Sequence, residues 1–428
     1  MDQDTKILIV GAGAFGTSTA YHLSQRGYTS IRVLDKYPPP SCDAASTDIS
    51  KIIRSDYNEP LYARLGVEAI EAWRTSELFQ DIYHVPGWVL SAKNLSIPFV
   101  QGSIETSKKL GVEGIEELTK GQVHQRFPSI TGEMADWNIN VWNPTAGWAD
   151  SGEAMRRVAM AAQENGVEFI SGDRGFVRDV VTMPDGRCCG VTTKDGTTHL
   201  ADVVVIAAGA WTPSLIDVQD QLTAKGHSVA HIQLSAEEAR RYKDMPILDN
   251  LELGYFFPPV ENGVFKMAHS QFITNTRRDA HSGIRTSIPH TFQAHPSDDL
   301  PLEIEQTMRT NLRRVLPELA DRPFSYTRLC WDADTADRHF LIAPHPGHAG
   351  LFLAAGGSAH GFKFMPILGK YIADMLEGTL EPGIAKAWAW RPGQSPGKNL
   401  AHLDPESELA DLTGWQGRRK REAGGPRI

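Results

Sequence analysis

Apolar residues along the chain fall into three kinds of run, and each predicts a different element. Short, nearly unbroken runs have the length and content of strands buried in a parallel sheet. They are Ile7-Leu8-Ile9-Val10, Ile31-Arg32-Val33-Leu34, Val167-Glu168-Phe169-Ile170, Val203-Val204-Val205-Ile206 and Leu351-Phe352-Leu353-Ala354. Helically spaced runs alternate with them. Residues 14–26 read as a helix ended by Gly27, and from Pro60 onward Leu61, Leu65, Ala69 and Trp73 share one face. Asp150 and Glu153 have capping-box spacing ahead of AMRRVAMAAQENG. Residues 302–316 and 366–376 are also helically spaced, the latter after a glycine loop at 356–361. The third kind is strand-like and aromatic. Asp185-Gly186 and Asp195-Gly196 mark hairpin turns, residues 83–142 read as sheet and loop, and residues 227–289 read as strands.

This order predicts an α/β nucleotide-binding domain assembled from residues 1–80, 146–220 and 326–385. Residues 81–145 and 221–325 form a second, sheet-based α+β domain, and 386–428, rich in Pro, Gly and charge after Trp390, form an extended C-terminal arm.

The first strand and helix frame Gly11, Gly13 and Gly16 in G-x-G-x-x-G spacing, and the second strand ends at Asp35. The glycines allow a tight turn, close approach of a pyrophosphate to the backbone, and close helix–strand packing. The helix N-terminus offers free N–H groups to phosphate, and Asp35 can accept from a ribose 2′-OH. A dinucleotide therefore binds here.

Composition narrows the partners. The 428 residues carry 43 Lys+Arg against 52 Asp+Glu, an acidic balance that argues against nucleic acid or an anionic membrane surface. No apolar run approaches the roughly 18 residues of a membrane span. Four cysteines at 42, 188, 189 and 330 are too few and too irregular for a disulfide or metal framework, so no metal is expected. The opening Met-Asp-Gln-Asp lacks the basic region of a secretory signal, which predicts an intracellular, cytoplasmic protein. The closing Pro426-Arg427-Ile428 resembles a peroxisomal small-basic-aliphatic ending. A monomer or weak homo-oligomer is expected.

Four stretches hold the candidate chemistry: 46–54, 254–270, 328–332 and 357–364. On residue type alone, Lys51 and Arg54 read as solvated, Cys330 as an inert buried thiol, and His360 as a loop histidine. Lys266 and Lys363, each flanked by apolar residues, could point to a wet face.

The chain to about residue 390 resembles the flavin-dependent amine oxidases of the sarcosine oxidase, pipecolate oxidase and fungal fructosyl-amino-acid and saccharopine oxidase group. The likeness rests on GAGAFG with Asp35, the Ala207-Ala208-Gly209 strand end, CWDADTADRHFLI and GSAHGFKFMP, in that order. It implies a Rossmann-type FAD domain of the D-amino-acid-oxidase-like superfamily, with FAD joined through Cys330. It implies cofactor contacts from Gly11, Gly13, Ala14, Phe15, Gly16, Asp35, Lys36, Ser46, Thr47, Lys51, Val177, Ala208, Gly209, Cys330, Gly357, His360, Gly361, Phe362 and Lys363.

By the same resemblance, Lys51 lies against the flavin ring and Lys266 promotes reaction with oxygen. Arg54 and Lys363 grip the substrate carboxylate, and Tyr255 lines the amine pocket. Ser270, with His269 beside it, stands where sarcosine oxidases carry His and fructosyl-amino-acid oxidases carry Glu. The glycine-rich, Arg-containing tail of the fructosyl enzymes has no counterpart after Trp390, and those enzymes usually lack a basic residue where this chain has Arg54. The implied activity is oxidation of an N-substituted amino acid (N-methyl, pipecolate or saccharopine type) to an imine, with O2 reduced to H2O2. The alternatives are a fructosyl-amino-acid oxidase, a flavin dehydrogenase with another acceptor, and an NAD-binding protein that uses the first βαβ unit alone.

Overall fold

A computed structural model describes residues 1–394, 401 and 406–415. Its first sheet has six strands in the order Leu341–Pro344, Leu351–Ala355, Val203–Ile206, Ile7–Val10, Ile31–Leu34, Glu168–Ile170. The last five run parallel, and Leu341–Pro344 pairs antiparallel at one edge. All four residues of Ile7–Val10 and of Val203–Ile206 are buried, as unbroken apolar runs require when both faces are covered: Ile7, Ile9, Val203 and Val205 pack on the helical side, and Leu8, Val10, Val204 and Ile206 pack with Val177, Cys188 and Val191. The helix Ala14–Gln25 crosses Met365–Glu377 so closely that Ser18 Oγ donates to the Met365 carbonyl at 2.6 Å and accepts from Gly369 N at 2.8 Å. A Cβ on Gly369 would collide with the Ser18 carbonyl. Gly369→Ala is expected to cost about 1–3 kcal/mol through overpacking. A thermal melt unchanged from wild type would show that the crossing can give way.

The second sheet follows the order Tyr326–Asp334, Thr223–Gln233, Val264–Thr274, Gly254–Phe256, Ile247–Asn250, Trp88–Ala92, Ile139–Asn143, Glu116–Glu117. Its core centres on Phe256, Phe265, Trp331 and Tyr242. A three-stranded meander, Val177–Thr182, Cys188–Thr193 and Thr198–Leu200, forms where the two Asp-Gly turns were predicted.

Four expectations are corrected. Residues 83–142 contain the helices Ile97–Lys109 and Lys120–Arg126, and residues 227–289 contain the helix Ala236–Tyr242. The capping box at Asp150 is half-formed: its side chain accepts from Glu153 N at 3.0 Å, but Glu153 turns to Arg156 and Arg157. The stretch 386–428, expected as an extended arm, is not extended throughout. Pro382–Trp388 is helical with Trp388 buried, Ser407–Glu408 pairs with Ile273 and Thr274, and Leu409 and Leu412 are buried. The predicted targeting tripeptide Pro426-Arg427-Ile428 lies outside the described residues. Among those residues no helix is long and apolar enough to cross a membrane.

Candidate active site

A cavity of about 430 Å³ receives residues from both large sheets. The glycine turn lines it first. The helix Ala14–Gln25 begins at Gly13 with no side-chain cap, which leaves its first N–H groups for an outside acceptor. Beside that turn the buried Ser46 Oγ has no hydrogen-bond partner among the described residues, and it lies 3.9 Å from where a Gly13 Cβ would stand. An orphaned buried hydroxyl next to uncapped helix N–H groups suits a pyrophosphate. Asp35 also lines the cavity. It accepts from Ala12 N at 2.8 Å, Tyr37 N at 2.9 Å and Ser41 Oγ at 2.8 Å, which fixes the carboxyl in place.

Lys36, Val177, Ala208 and Gly209 continue the lining. Gly16 and Thr47 are not part of it. A Cβ on Gly16 would strike the Gly11 carbonyl, so that glycine serves helix–strand packing, and the Thr47 carbonyl accepts from Arg328 Nη2 at 2.8 Å.

Alternation along strands places the reactive groups. On Tyr326–Asp334, Arg328, Cys330 and Asp332 project to one side, opposite Leu329 and Ala333. Cys330 Sγ has Arg328 Nη2 at 3.6 Å and Lys51 Nζ at 3.8 Å. On Val264–Thr274, Phe265 and Met267 enter the apolar core, so Lys266 takes the opposite face, which is the cavity and not solvent; Lys266 is only 1% exposed. Its Nζ lies 2.7 Å from Asp48 Oδ2 and 2.5 Å from the Ser50 carbonyl.

Asp48 is the hub. Arg328 approaches it at 3.1 Å, Lys51 at 3.8 Å and His231 at 3.8 Å. Burial pushes the Asp48 carboxyl up, but Lys266 and Arg328 outweigh it and hold the group well below the usual carboxylate range. Burial lowers Lys266 to about 8, with Asp48 opposing the shift.

A second group of cations lines the same cavity. Arg54 stacks over Tyr57 at 4.3 Å and donates to the Asp56 carbonyl. Lys363 donates to the His360 carbonyl at 3.0 Å, and Trp73 Nε1 holds the Lys363 carbonyl at 2.8 Å, so the helix Pro60–Thr75 anchors this turn. Burial and then Arg54 drive the Lys363 ammonium well below its ordinary pKa. His360 is held neutral by burial, with Nε2 on the Arg338 carbonyl at 2.9 Å. Phe15, Gly357, Gly361, Phe362 and Tyr255 complete this part of the wall.

Ser270 and His269 are not part of it. Ser270 Oγ donates to the Asn250 carbonyl at 3.2 Å, and His269 Nδ1 sits 3.2 Å from the Leu253 carbonyl. Both are turned into the second sheet's own packing.

Several lining or supporting residues escaped sequence reading. Asp48 stands three residues before Lys51 in a stretch read for its cations. Asp249 directly follows the apolar run 245–248, and an acid at the end of that run was the available signal. Asp332 accepts from Ala333 N and Ala359 N, each at 2.8 Å, and burial pushes it up to about 6. Burial lowers His227 to about 3.

An uncapped glycine turn, a fixed acid at the end of the second strand and a cavity lined by cations and a thiol have the features of a dinucleotide-dependent redox site. Residues 6–375 match the FAD dependent oxidoreductase family, and the chain belongs to it. The chain is 34% identical to L-saccharopine oxidase of Schizosaccharomyces pombe, over 90% of this chain and 93% of that protein. It is 24% identical to a monomeric sarcosine oxidase of a Bacillus species, over 89% of this chain and 94% of that one. Among solved structures, the deglycating fructosamine oxidase Amadoriase II of Aspergillus fumigatus superposes with a TM-score of 0.88 at 32% identity, over 98% of this chain and 99% of that one. Fructosyl peptide oxidase from E. terrenum gives 0.89 at 34% identity, over 97% and 98% of the two chains. The protein is an FAD-dependent oxidoreductase.

Proposed function

We propose that this enzyme oxidises secondary amines built on amino acids (an N-methyl amino acid, pipecolate or a saccharopine-type compound) to the imine, with release of hydrogen peroxide. One observation carries the reading: Arg54 and Lys363 are buried in one cavity with Cys330 and Lys266, and among the described residues neither Arg54 nor Lys363 forms a salt bridge. Buried cations that no carboxylate contacts as a direct salt bridge favour an anionic ligand. A substrate carboxylate supplies it, gripped by the guanidinium fork and by a compact ammonium charge. FAD, which the glycine turn, Asp35 and the cavity wall would hold, would supply the capacity to accept a hydride equivalent from the C–H bond next to the substrate nitrogen and to pass two electrons on to dioxygen. Lys266, fixed by Asp48 and the Ser50 carbonyl, stabilises negative charge developing on oxygen. Cys330 is the attachment point, with Arg328 and Lys51 favouring the thiolate that bond formation needs. Tyr255 shapes the amine pocket. In this reading 1–80, 146–220 and 326–385 hold the cofactor, and 81–145 with 221–325 wall the substrate.

The likeness to fructosamine and fructosyl peptide oxidases supports a second reading, oxidation of a fructosyl amino acid. The buried Arg54 favours the first. A panel of amines followed by peroxide release decides between them, and turnover without peroxide would indicate a dehydrogenase.

Covalent attachment has its own test. Acid precipitation is expected to leave the yellow colour in the pellet, and Cys330→Ser is expected to release it to the supernatant. Colour released from wild type would remove the thioether, and colourless purified protein would remove the flavoenzyme reading.

A further inference from the structure

We infer that Asp249 takes the proton that the substrate's secondary ammonium loses before its C–N bond is oxidised, an inference that rests on the secondary-amine reading above. An alkylammonium has a pKa of about 10, so near neutral pH the substrate arrives protonated. A protonated nitrogen has no lone pair with which to drive hydride loss. The site therefore needs a proton acceptor within reach of the amine, and the nitrogen lies one carbon from the carboxylate that Arg54 and Lys363 hold.

Asp249 meets the geometric requirement. It belongs to the strand Ile247–Asn250, is only 5% exposed, and lines the cavity beside both cations. Its Oδ1 is buried and makes no hydrogen bond among the described residues. A buried carboxyl oxygen without a donor is costly when no ligand is present, and it accepts a proton or an N–H readily. The charged groups that act on it are Arg54, Lys363 and Asp56, and Tyr255 is its register partner on the next strand. Burial pushes Asp249 up to about 7, while Arg54 and Lys363 pull it down.

Docking a carboxylate on those two cations offsets part of their pull. The proton affinity of Asp249 then rises as the ammonium arrives. The step balances: an N–H bond of R2NH2+ breaks, an O–H bond forms on the Asp249 carboxylate, charge is conserved and no electrons move. The neutral amine and the protonated Asp249 are the products.

The test uses intact FAD-loaded enzyme and acetate, a carboxylate with no amine to give up a proton. Calorimetric titration near pH 8 in two buffers of different ionisation enthalpy reads the protons taken up on binding. Uptake approaching one proton per site is expected in wild type, and none in Asp249→Asn. Lys363 and Lys266, which line the same cavity, are also able to take up a proton, so uptake that persists in Asp249→Asn assigns it to a lysine and overturns the inference. Binding to wild type without uptake also overturns it, while leaving the carboxylate-docking reading intact. No acetate binding at all overturns both.

A second readout is kcat/KM for an N-methyl amino acid against pH. Without Asp249 only the neutral amine in solution is usable, so at pH 7 Asp249→Asn is expected to lose about 10²–10³-fold. It should recover about tenfold per pH unit toward the amine pKa of about 10. A profile parallel to wild type refutes the role.

Discussion

Lys266→Met is expected to slow oxygen consumption about 10²–10³-fold, the range seen when one charge-stabilising group is removed from a preorganised site. Anaerobic substrate oxidation, read as loss of the yellow absorbance, should change little. The two halves of the cycle separate because Lys266 is tied to Asp48 at 2.7 Å and to the Ser50 carbonyl at 2.5 Å, apart from the Arg54 and Lys363 group. The fold should tolerate the change, since Asp48 keeps Arg328 at 3.1 Å and Lys51 at 3.8 Å. The pH dependence has a definite sign. Burial lowers Lys266 to about 8, so its ammonium is present below that pH and is lost above it. Oxygen reactivity in wild type should therefore fall as pH rises through about 8, and the variant should show no such limb. Unchanged oxygen consumption in Lys266→Met would end the assignment.

The second large effect is expected at Arg54. Arg54→Met should lower kcat/KM for a carboxylate-bearing amine about 10²–10³-fold, or about 3–4 kcal/mol. Its guanidinium is held by the Asp56 carbonyl and stacked among Tyr57, Trp88 and Phe99 at 4.3, 5.3 and 6.0 Å, so little is lost in ordering it when substrate binds. The variant also removes the cation that most offsets the burial of Asp56, which keeps the Asn143 amide at 2.9 and 3.1 Å, so some loss of stability is expected. The measurement that isolates docking is the ratio of kcat/KM for an N-methyl amino acid to that for the same amine without its carboxylate. Docking on Arg54 predicts that this ratio collapses in Arg54→Met and partly survives in Arg54→Lys, which keeps the charge but loses the fork. A ratio that survives in Arg54→Met would place carboxylate recognition elsewhere.

How far the sequence alone reaches can be seen residue by residue. Gly11, Gly13, Gly16 and Asp35 fall within thirty residues and act through backbone geometry set by their own spacing. The cradle, its two strands and its helix were therefore legible directly, and so were the Asp-Gly hairpins and the buried face of Leu65, Ala69 and Trp73. Amphipathic helices with few apolar positions, such as Ile97–Lys109, were not legible, because their apolar residues are too sparse to outweigh the turns around them. Resemblance supplied roles for Lys51, Arg54, Lys266, Cys330 and Lys363, which residue type alone would have left as solvated or inert.

Which face each of these takes, and what it meets there, depends on contacts between distant stretches. Lys266 meets Asp48 across 218 positions, as 266 minus 48, and that pairing turns a flanked strand lysine into a buried cation. Ser270, four residues further along the same strand, is absorbed into hydrogen bonding with Asn250 and does not reach the cavity. Asp249 carried no motif at all. The spacing of a chain determines where its backbone can turn and which residues share a face. The cost of burying a charge, and the partners that offset it, exist only once the sheets have closed around it.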